Sequence, residues 1–207
     1  MNYRAILDDV GNYYGEKLKA HGATPQGVDW NSRESQELRF AQLLKIRDGA
    51  DSFSVNDYGC GYAALVEYLI RQGFTFEYTG FDISVLMIEK AKELHAKSNF
   101  CRFVSDESLL TVADYTVASG IFNVKLSSPD EEWQPYVLNT IKKIDALSKR
   151  GFAFNMLTEY SDPEYMRPDL YYPAPSFFFD YCKRNVSKHV SLLHDYPLYE
   201  FTILVRK

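Results

Sequence analysis

The chain has 207 residues, enough to bury one sizeable hydrophobic core and short for two. It is 46% hydrophobic and 25% charged, an ordinary globular balance, with a net charge of -5 and no dense Lys/Arg cluster, which argues against a nucleic-acid partner. No apolar run approaches the length of a membrane span and the mixed, charged N-terminus is unlike a secretory leader, so no membrane partner is expected and the cytoplasm is the default location.

The first segment, from Asn2 to about Ala20, places Ile6, Leu7, Val10, Tyr13, Tyr14 and Leu18 at helical spacing. A break follows over 21–27. Asn31 or Ser32 can cap a second helix, with Leu38, Phe40, Leu43, Leu44 and Ile46 on its apolar face. From Phe53 the period changes. Phe53–Tyr58 reads as a strand, Gly59-Cys60-Gly61 as a tight turn, and Ala63–Gln72 as a helix closed by Gly73. Phe76–Asp82 is a second strand, followed by a helix that Ser84 can cap and that runs to about Lys97. Phe100–Val104 and Tyr115–Ser119 are further strands, Trp133–Lys149 a helix, and Gly151–Met156 a fifth strand. Strands alternating with helices predict βαβ units and a parallel sheet covered on both faces. The end departs from this: His189–Leu193 and Tyr199–Val205 are strand-like runs about five residues apart. That gap is too short for a helical crossover, so the pair is expected to form an antiparallel hairpin. Between them and the fifth strand, Tyr160–Phe179 reads as a long irregular segment of the kind that forms lids.

The chemistry points to the turn in Val55-Asn56-Asp57-Tyr58-Gly59-Cys60-Gly61-Tyr62-Ala63-Ala64. Glycine lets the backbone turn sharply and lets a ligand approach closely. The helix that follows presents unpaired N–H groups, at the strand ends where open α/β sheets bind ligands. Gly59, Gly61 and Ala64 also satisfy the dinucleotide pattern G-x-G-x-x-G/A, so the loop by itself leaves an NAD(P)-binding oxidoreductase open. Asp82 ends the second strand 21 residues after Gly61, where a carboxylate can take both hydroxyls of a ribose. An aspartate there is also a favoured helix cap; with Ser84 available as the cap, Asp82 is left for a ligand. The three cysteines, Cys60, Cys101 and Cys182, lie far apart with no metal-like spacing, so neither a metal site nor a disulfide framework is expected.

The run Asp57-x-Gly59-x-Gly61-x-Ala63 resembles the first motif of the class I S-adenosylmethionine-dependent methyltransferases, with Ala63 where the common form has glycine. Phe81-Asp82-Ile83-Ser84 resembles the second motif, Val104-Ser105-Asp106 the third, and Val117–Asn123 the fourth. The resemblance covers about three quarters of the chain, roughly residues 53–207. It implies a three-layer Rossmann-like α/β fold with a mostly parallel seven-stranded sheet that ends in the antiparallel hairpin, N-terminal capping helices over residues 1–50, and a cofactor-binding domain over 51–207. It also implies S-adenosyl-L-methionine as cofactor and S-adenosyl-L-homocysteine as product. Gly59, Cys60 and Gly61 would pass their backbone beside the methionine part, with Asp57 holding its amino group. Asp82 would hold the ribose, with Ile83 packing on the adenine and Asp106 or Ser105 reading it. Ser119, Gly120, Phe122 and Asn123 would face the reaction centre. Asp57 and the terminal hairpin count against hydride transfer; a non-catalytic cofactor-binding protein is the other alternative.

For the acceptor, the N-terminal helices bring Tyr13, Tyr14, Trp30 and Arg39, and the irregular segment Tyr171 and Tyr172. Arg33 or Arg39 would pair with a carboxylate. His194 is the candidate general base, required only if the acceptor must lose a proton. No Asn-Pro-Pro-Tyr-like run follows the fourth strand, and with the acidic charge this points to a small-molecule acceptor. A monomer or a homodimer is expected.

Overall fold

The computed structural model describes residues 3–49 and 52–207; the helix start expected at Asn2 and the boundary expected between residues 50 and 51 lie outside them. Among the described residues six α-helices, α1 (Tyr3–His21), α2 (Arg33–Leu43), α3 (Ala64–Arg71), α4 (Val85–Leu94), α5 (Asp130–Ala146) and α6 (Pro175–Asn185), surround seven strands. These are β1 (Ser52–Tyr58), β2 (Thr75–Phe81), β3 (Cys101–Val104), β4 (Ala113–Ala118), β5 (Ser148–Leu157), β6 (His189–Leu193) and β7 (Glu200–Arg206). Local chemistry sets the ends. Ser32 and Ser35 close a reciprocal capping box at the start of α2. Gly73, at φ +74, stops α3.

The strand order is β3-β2-β1-β4-β5-β7-β6. β1 pairs in parallel with β2 and β4, as do β2 with β3 and β4 with β5. β7 runs antiparallel to both β5 and β6, which is the expected hairpin. This is the three-layer, mostly parallel Rossmann-like architecture. The order reverses between β1 and β4, so the chain leaves these two strands in opposite directions and a crevice opens at their carboxyl ends.

Each face of the sheet carries its own core. On one side Leu65, Val66 and Leu69 of α3 and Leu43 of α2 pack on Phe53, Val55 and Tyr78. On the other, Trp133, Val137 and Ile141 of α5 and Phe178 of α6 pack on Phe152, Phe154 and Phe201.

Several elements differ from expectation: α4 stops at Leu94, short of Lys97, and β5 starts at Ser148, ahead of Gly151. The segment expected to stay irregular to Phe179 turns helical at Pro175, whose ring sits in the first turn, where an N–H is not needed. Its Phe178 and Cys182, four apart, then face the core. Helix α5 begins three residues early, because Asp130, Glu131 and Glu132 suit the positive end of its dipole.

Phe154 is fully buried and meets Phe122 at 5.7 Å and Phe178 at 6.4 Å, both edge-on. Phe154→Ala should therefore cost about 3–5 kcal/mol of stability, read as a lower midpoint in urea unfolding; a loss below about 1 kcal/mol would mean that this layer is not close-packed.

Candidate active site

The crevice is built by the turn after β1. The N–H groups of Gly59 and Cys60 both donate to the Phe81 carbonyl at the end of β2, at 2.7 and 2.9 Å. Gly59 sits at φ +82, and a Cβ there would lie 2.2 Å from Ile121 Cγ2, so only glycine fits. Ala63, where the resembled motif has glycine, takes left-handed backbone at φ 65, ψ 41. That conformation costs an L-residue about 1–2 kcal/mol, which explains the preference for glycine there.

Asp82 locks the turn to the second strand. Its Oδ2 accepts from Gly61 N–H and its Oδ1 from Ser84 N–H, both at 2.9 Å. The expectation that Ser84 would cap α4 and leave Asp82 free is corrected: the Ser84 side chain makes no cap bond, and the Asp82 carboxylate is engaged by the Ser84 N–H just before the helix. Each carboxylate oxygen still has a lone pair to offer, and Asp82 lines the cleft. Burial pushes its carboxyl up to about 6, against the pull of the two N–H groups. Asp57, also in the cleft wall, accepts from Tyr78 Oη at 2.6 Å. Burial pushes its carboxyl up to about 7; the Tyr78 bond opposes this and the Asp82 charge adds to it.

The cleft encloses about 1070 Å³ of free space, its open mouth included. Leu7, Val10 and Tyr14 of α1, Val28, Trp30, and Gln36 and Phe40 of α2 form one wall. Ser119, Gly120 and Ile121, after β4, form the other. The Ser119 Oγ is buried with no hydrogen-bond partner among the described residues. Gly120 stands at φ +72 with the Trp30 indole 2.4 Å from where a Cβ would be.

Of the residues singled out from the sequence, Asp57, Gly59, Cys60, Gly61, Asp82, Ile83, Ser119, Gly120, Tyr14 and Trp30 meet in this one cleft. The others stand elsewhere. Phe122 is core, packed on Phe154. Asp106 is exposed and caps a short 3-10 turn by accepting from Ser108 N–H. Ser105 lies in a shallow groove beside Gly11 and Ser84. Asn123 is buried and accepts from Leu157 N–H, while its carbonyl takes the N–H of the buried Tyr171. Tyr172 accepts from Arg167 N–H. His194 is exposed, against Tyr160. Tyr13 donates to Asp29 at 2.5 Å. Arg33 is exposed and paired with Glu37. Arg39 is no free anion receptor: its guanidinium is buried against Glu200.

Sequence reasoning missed Gln36 and Phe40, although their spacing of four on α2 is readable. It also missed a polar patch at the far end of the cleft, where Glu107 accepts from Tyr58 Oη at 2.5 Å and Lys143 Nζ at 2.6 Å. These three residues come from separate elements, and no local pattern links them. Among the described residues no cluster of His, Cys, Asp or Glu could hold a metal, and no helix is long and apolar enough to cross a membrane.

Comparison with known proteins agrees with this geometry. A family model described as "Methyltransferase domain" matches residues 56–127, the stretch that holds the glycine turn, Asp82 and the β4 loop. The chain is 52% identical over 165 residues to "Putative methyltransferase Rv1506c" of Mycobacterium tuberculosis (strain H37Rv), which covers 79% of this chain and 99% of that protein. Among solved structures it resembles the N-methyltransferase NodS of Bradyrhizobium japonicum, in complex with S-adenosylhomocysteine, at TM-score 0.65 and 12% identity over 95% of this chain and 97% of that one. It also resembles a 1,6-didemethyltoxoflavin-N1-methyltransferase of Burkholderia thailandensis, at TM-score 0.61 and 18% identity over 99% and 88%.

The burial of Asp57 has a consequence for stability. In the fold its carboxyl titrates near 7, against an ordinary value of 3.8. Ionisation thus destabilises the ligand-free protein above pH 7, and the penalty fades as pH falls toward 4. Asp57→Asn, which can still accept from Tyr78, should raise Tm at pH 8, with the gain shrinking by pH 4.5. Thermal melts across that range check this; a pH-independent difference would rule out the titration of Asp57 as the cause.

Proposed function

Because the chain belongs to the class I S-adenosylmethionine-dependent methyltransferases, we propose that it transfers a methyl group to a small-molecule acceptor in the cleft between the glycine turn and the α1–α2 wall. The observation that carries the reading is the convergence, at one switch point, of a glycine turn, the buried carboxylates Asp57 and Asp82, and the unpartnered Ser119 hydroxyl. These groups fit the cofactor: carboxylates and a hydroxyl for its ribose and ammonium, and an apolar Ile83 for its adenine.

When bound, the cofactor supplies an electrophilic methyl group on a sulfonium. The chain's own residues bind, orient and exclude water. Asp82 would take the ribose hydroxyls on its remaining lone pairs while its other bonds keep it rigid. Asp57 would meet the amino group, and the backbone of Gly59, Cys60 and Gly61 would lie alongside the methionine part. Leu7, Val10, Tyr14, Trp30 and Phe40 would form an apolar cover that aligns the acceptor with the methyl group. His194, the candidate base, is exposed, and Asn123, expected at the reaction centre, is bonded to Leu157; neither lines the cleft. The reading therefore rests on alignment, with an acceptor atom that is nucleophilic without proton removal by either residue. The acidic net charge and the apolar wall favour a small neutral or cationic acceptor over a nucleic acid. The N-terminal helices act here as part of the same domain.

Titration calorimetry with S-adenosylhomocysteine should show binding, with NAD and NADP silent. Asp82→Ala should weaken it by roughly 10- to 100-fold, the worth of hydrogen bonds to a charged group. Ligand donors and an ammonium select the ionised carboxylates, so affinity should be full above pH 7 and fall as Asp57 and Asp82 protonate toward pH 6 and below. Binding of NAD in place of the homocysteine product would sink the proposal.

A further inference from the structure

A ring of buried contacts runs behind the reaction side of the cleft. The Gly120 N–H donates to Asn155 Oδ1 at 2.9 Å, and Asn155 Nδ2 donates to Glu200 Oε2 at 2.5 Å. Arg39 Nη2 and Nε donate to Glu200 Oε1 at 2.5 and 2.9 Å, and Nη1 to the Ser35 carbonyl at 2.8 Å. The Arg39 guanidinium lies 3.9 Å from the centre of the Trp30 ring, and that ring seats against Gly120. The ring is closed and dry: Asn155 is 0% exposed, Glu200 1% and Arg39 7%.

Each bond fixes the next. A carboxylate only accepts, so Glu200 takes the amide NH₂ of Asn155 and leaves Oδ1 for Gly120. The Ser119–Gly120 peptide is planar and trans, so its carbonyl points opposite to its N–H. The N–H is pinned into the interior, on Asn155 of β5. The carbonyl of Ser119 consequently faces the cleft, which Ser119 and Gly120 line and Asn155 does not. No donor among the described residues reaches that carbonyl. The Ser119 hydroxyl beside it is unpartnered too. An acceptor-only oxygen in a cleft that the Asp57 carboxylate also lines suits a cation that carries N–H donors; a sulfonium has none and an ammonium has three.

We propose that Asn155, Glu200 and Arg39 are positioning residues that hold the Ser119 carbonyl toward the cleft, where it accepts from the ammonium of the cofactor's methionine part. The inference rests on the methyltransferase reading above.

The test compares S-adenosylhomocysteine with 5′-methylthioadenosine, which keeps the adenosine and sulfur and lacks the amino-acid head. Binding of both to the full chain is measured by calorimetry. Asn155→Ala frees the peptide to turn. It should cost about tenfold in affinity for S-adenosylhomocysteine, the low end for a charge-assisted bond, and leave methylthioadenosine unchanged. Circular dichroism checks folding. If that variant does not fold, the double variant Arg39→Met/Glu200→Met decides: it replaces the buried pair with apolar side chains, a change often tolerated, and frees the Asn155 amide to flip. The same selective loss is expected. Equal loss for both ligands, or full affinity in a folded variant, overturns the inference. Failure of the unmodified protein to bind S-adenosylhomocysteine overturns the cofactor reading and this inference with it.

Discussion

The cleft depends on how the end of β1 is tied to the end of β2. Two N–H groups of the glycine turn share the Phe81 carbonyl, and one residue later the Asp82 carboxylate bridges Gly61 and Ser84. These bonds set the turn, start α3 and α4 from adjoining points, and expose the strand ends between them. Asp82 therefore has two roles. Its bonds to the backbone hold the turn, and its remaining lone pairs face the cleft. A residue of this kind links the order of the fold to any chemistry performed on it.

The electrostatics follow from the same burial. Asp57 and Asp82 both sit where their ionised forms are disfavoured, and both titrate above the ordinary carboxylate range. In the ligand-free protein that is a cost. For a cationic ligand it is an advantage, because the attraction acts in a poorly solvated crevice where water screens it little. The other buried carboxylate near the cleft, Glu200, is matched by Arg39 and by Asn155, so its charge stays within the interior. The molecule thus separates two uses of negative charge: Asp57 and Asp82 face the cleft with no cation paired to them among the described residues, and Glu200 is neutralised in the frame behind it.

The frame also explains how helices from the start of the chain reach strands at its end. Residues 161 positions apart meet in the Arg39–Glu200 pair, and the Trp30 ring packs into the space left by Gly120. A buried ion pair of this sort contributes little net stability, since desolvation offsets its attraction. Its effect is on geometry, because Arg39 and Glu200 can satisfy each other in few arrangements. The α1–α2 wall is in this way registered against the loop after β4.

Much of the fold is legible in the chain itself. The alternation of apolar runs and helical spacing defines the strands and most helices, the short gap before Tyr199 dictates the hairpin, and Gly59, Gly61 and Asp82 mark the crevice. Each of these depends on interactions between near neighbours or on a period that repeats every two or four residues. The helix from Pro175 escaped this reading because three prolines and a run of aromatics obscure its period, although Phe178 and Cys182 supply a buried face. Several of the assignments that sequence alone placed in the cleft and the structure places elsewhere share one cause. Arg39, Tyr13, Asn123 and Asp106 are polar residues whose partners, whether Glu200, Asp29, the Leu157 N–H or the Ser108 N–H, become visible only in the folded chain. A sequence shows what a side chain can bind; burial and distance decide which of those bonds it makes. The sequence by itself therefore determined the layers, the turn and the acids beside it. Tertiary packing alone decided which polar groups were consumed in holding the fold and which were left facing the cleft.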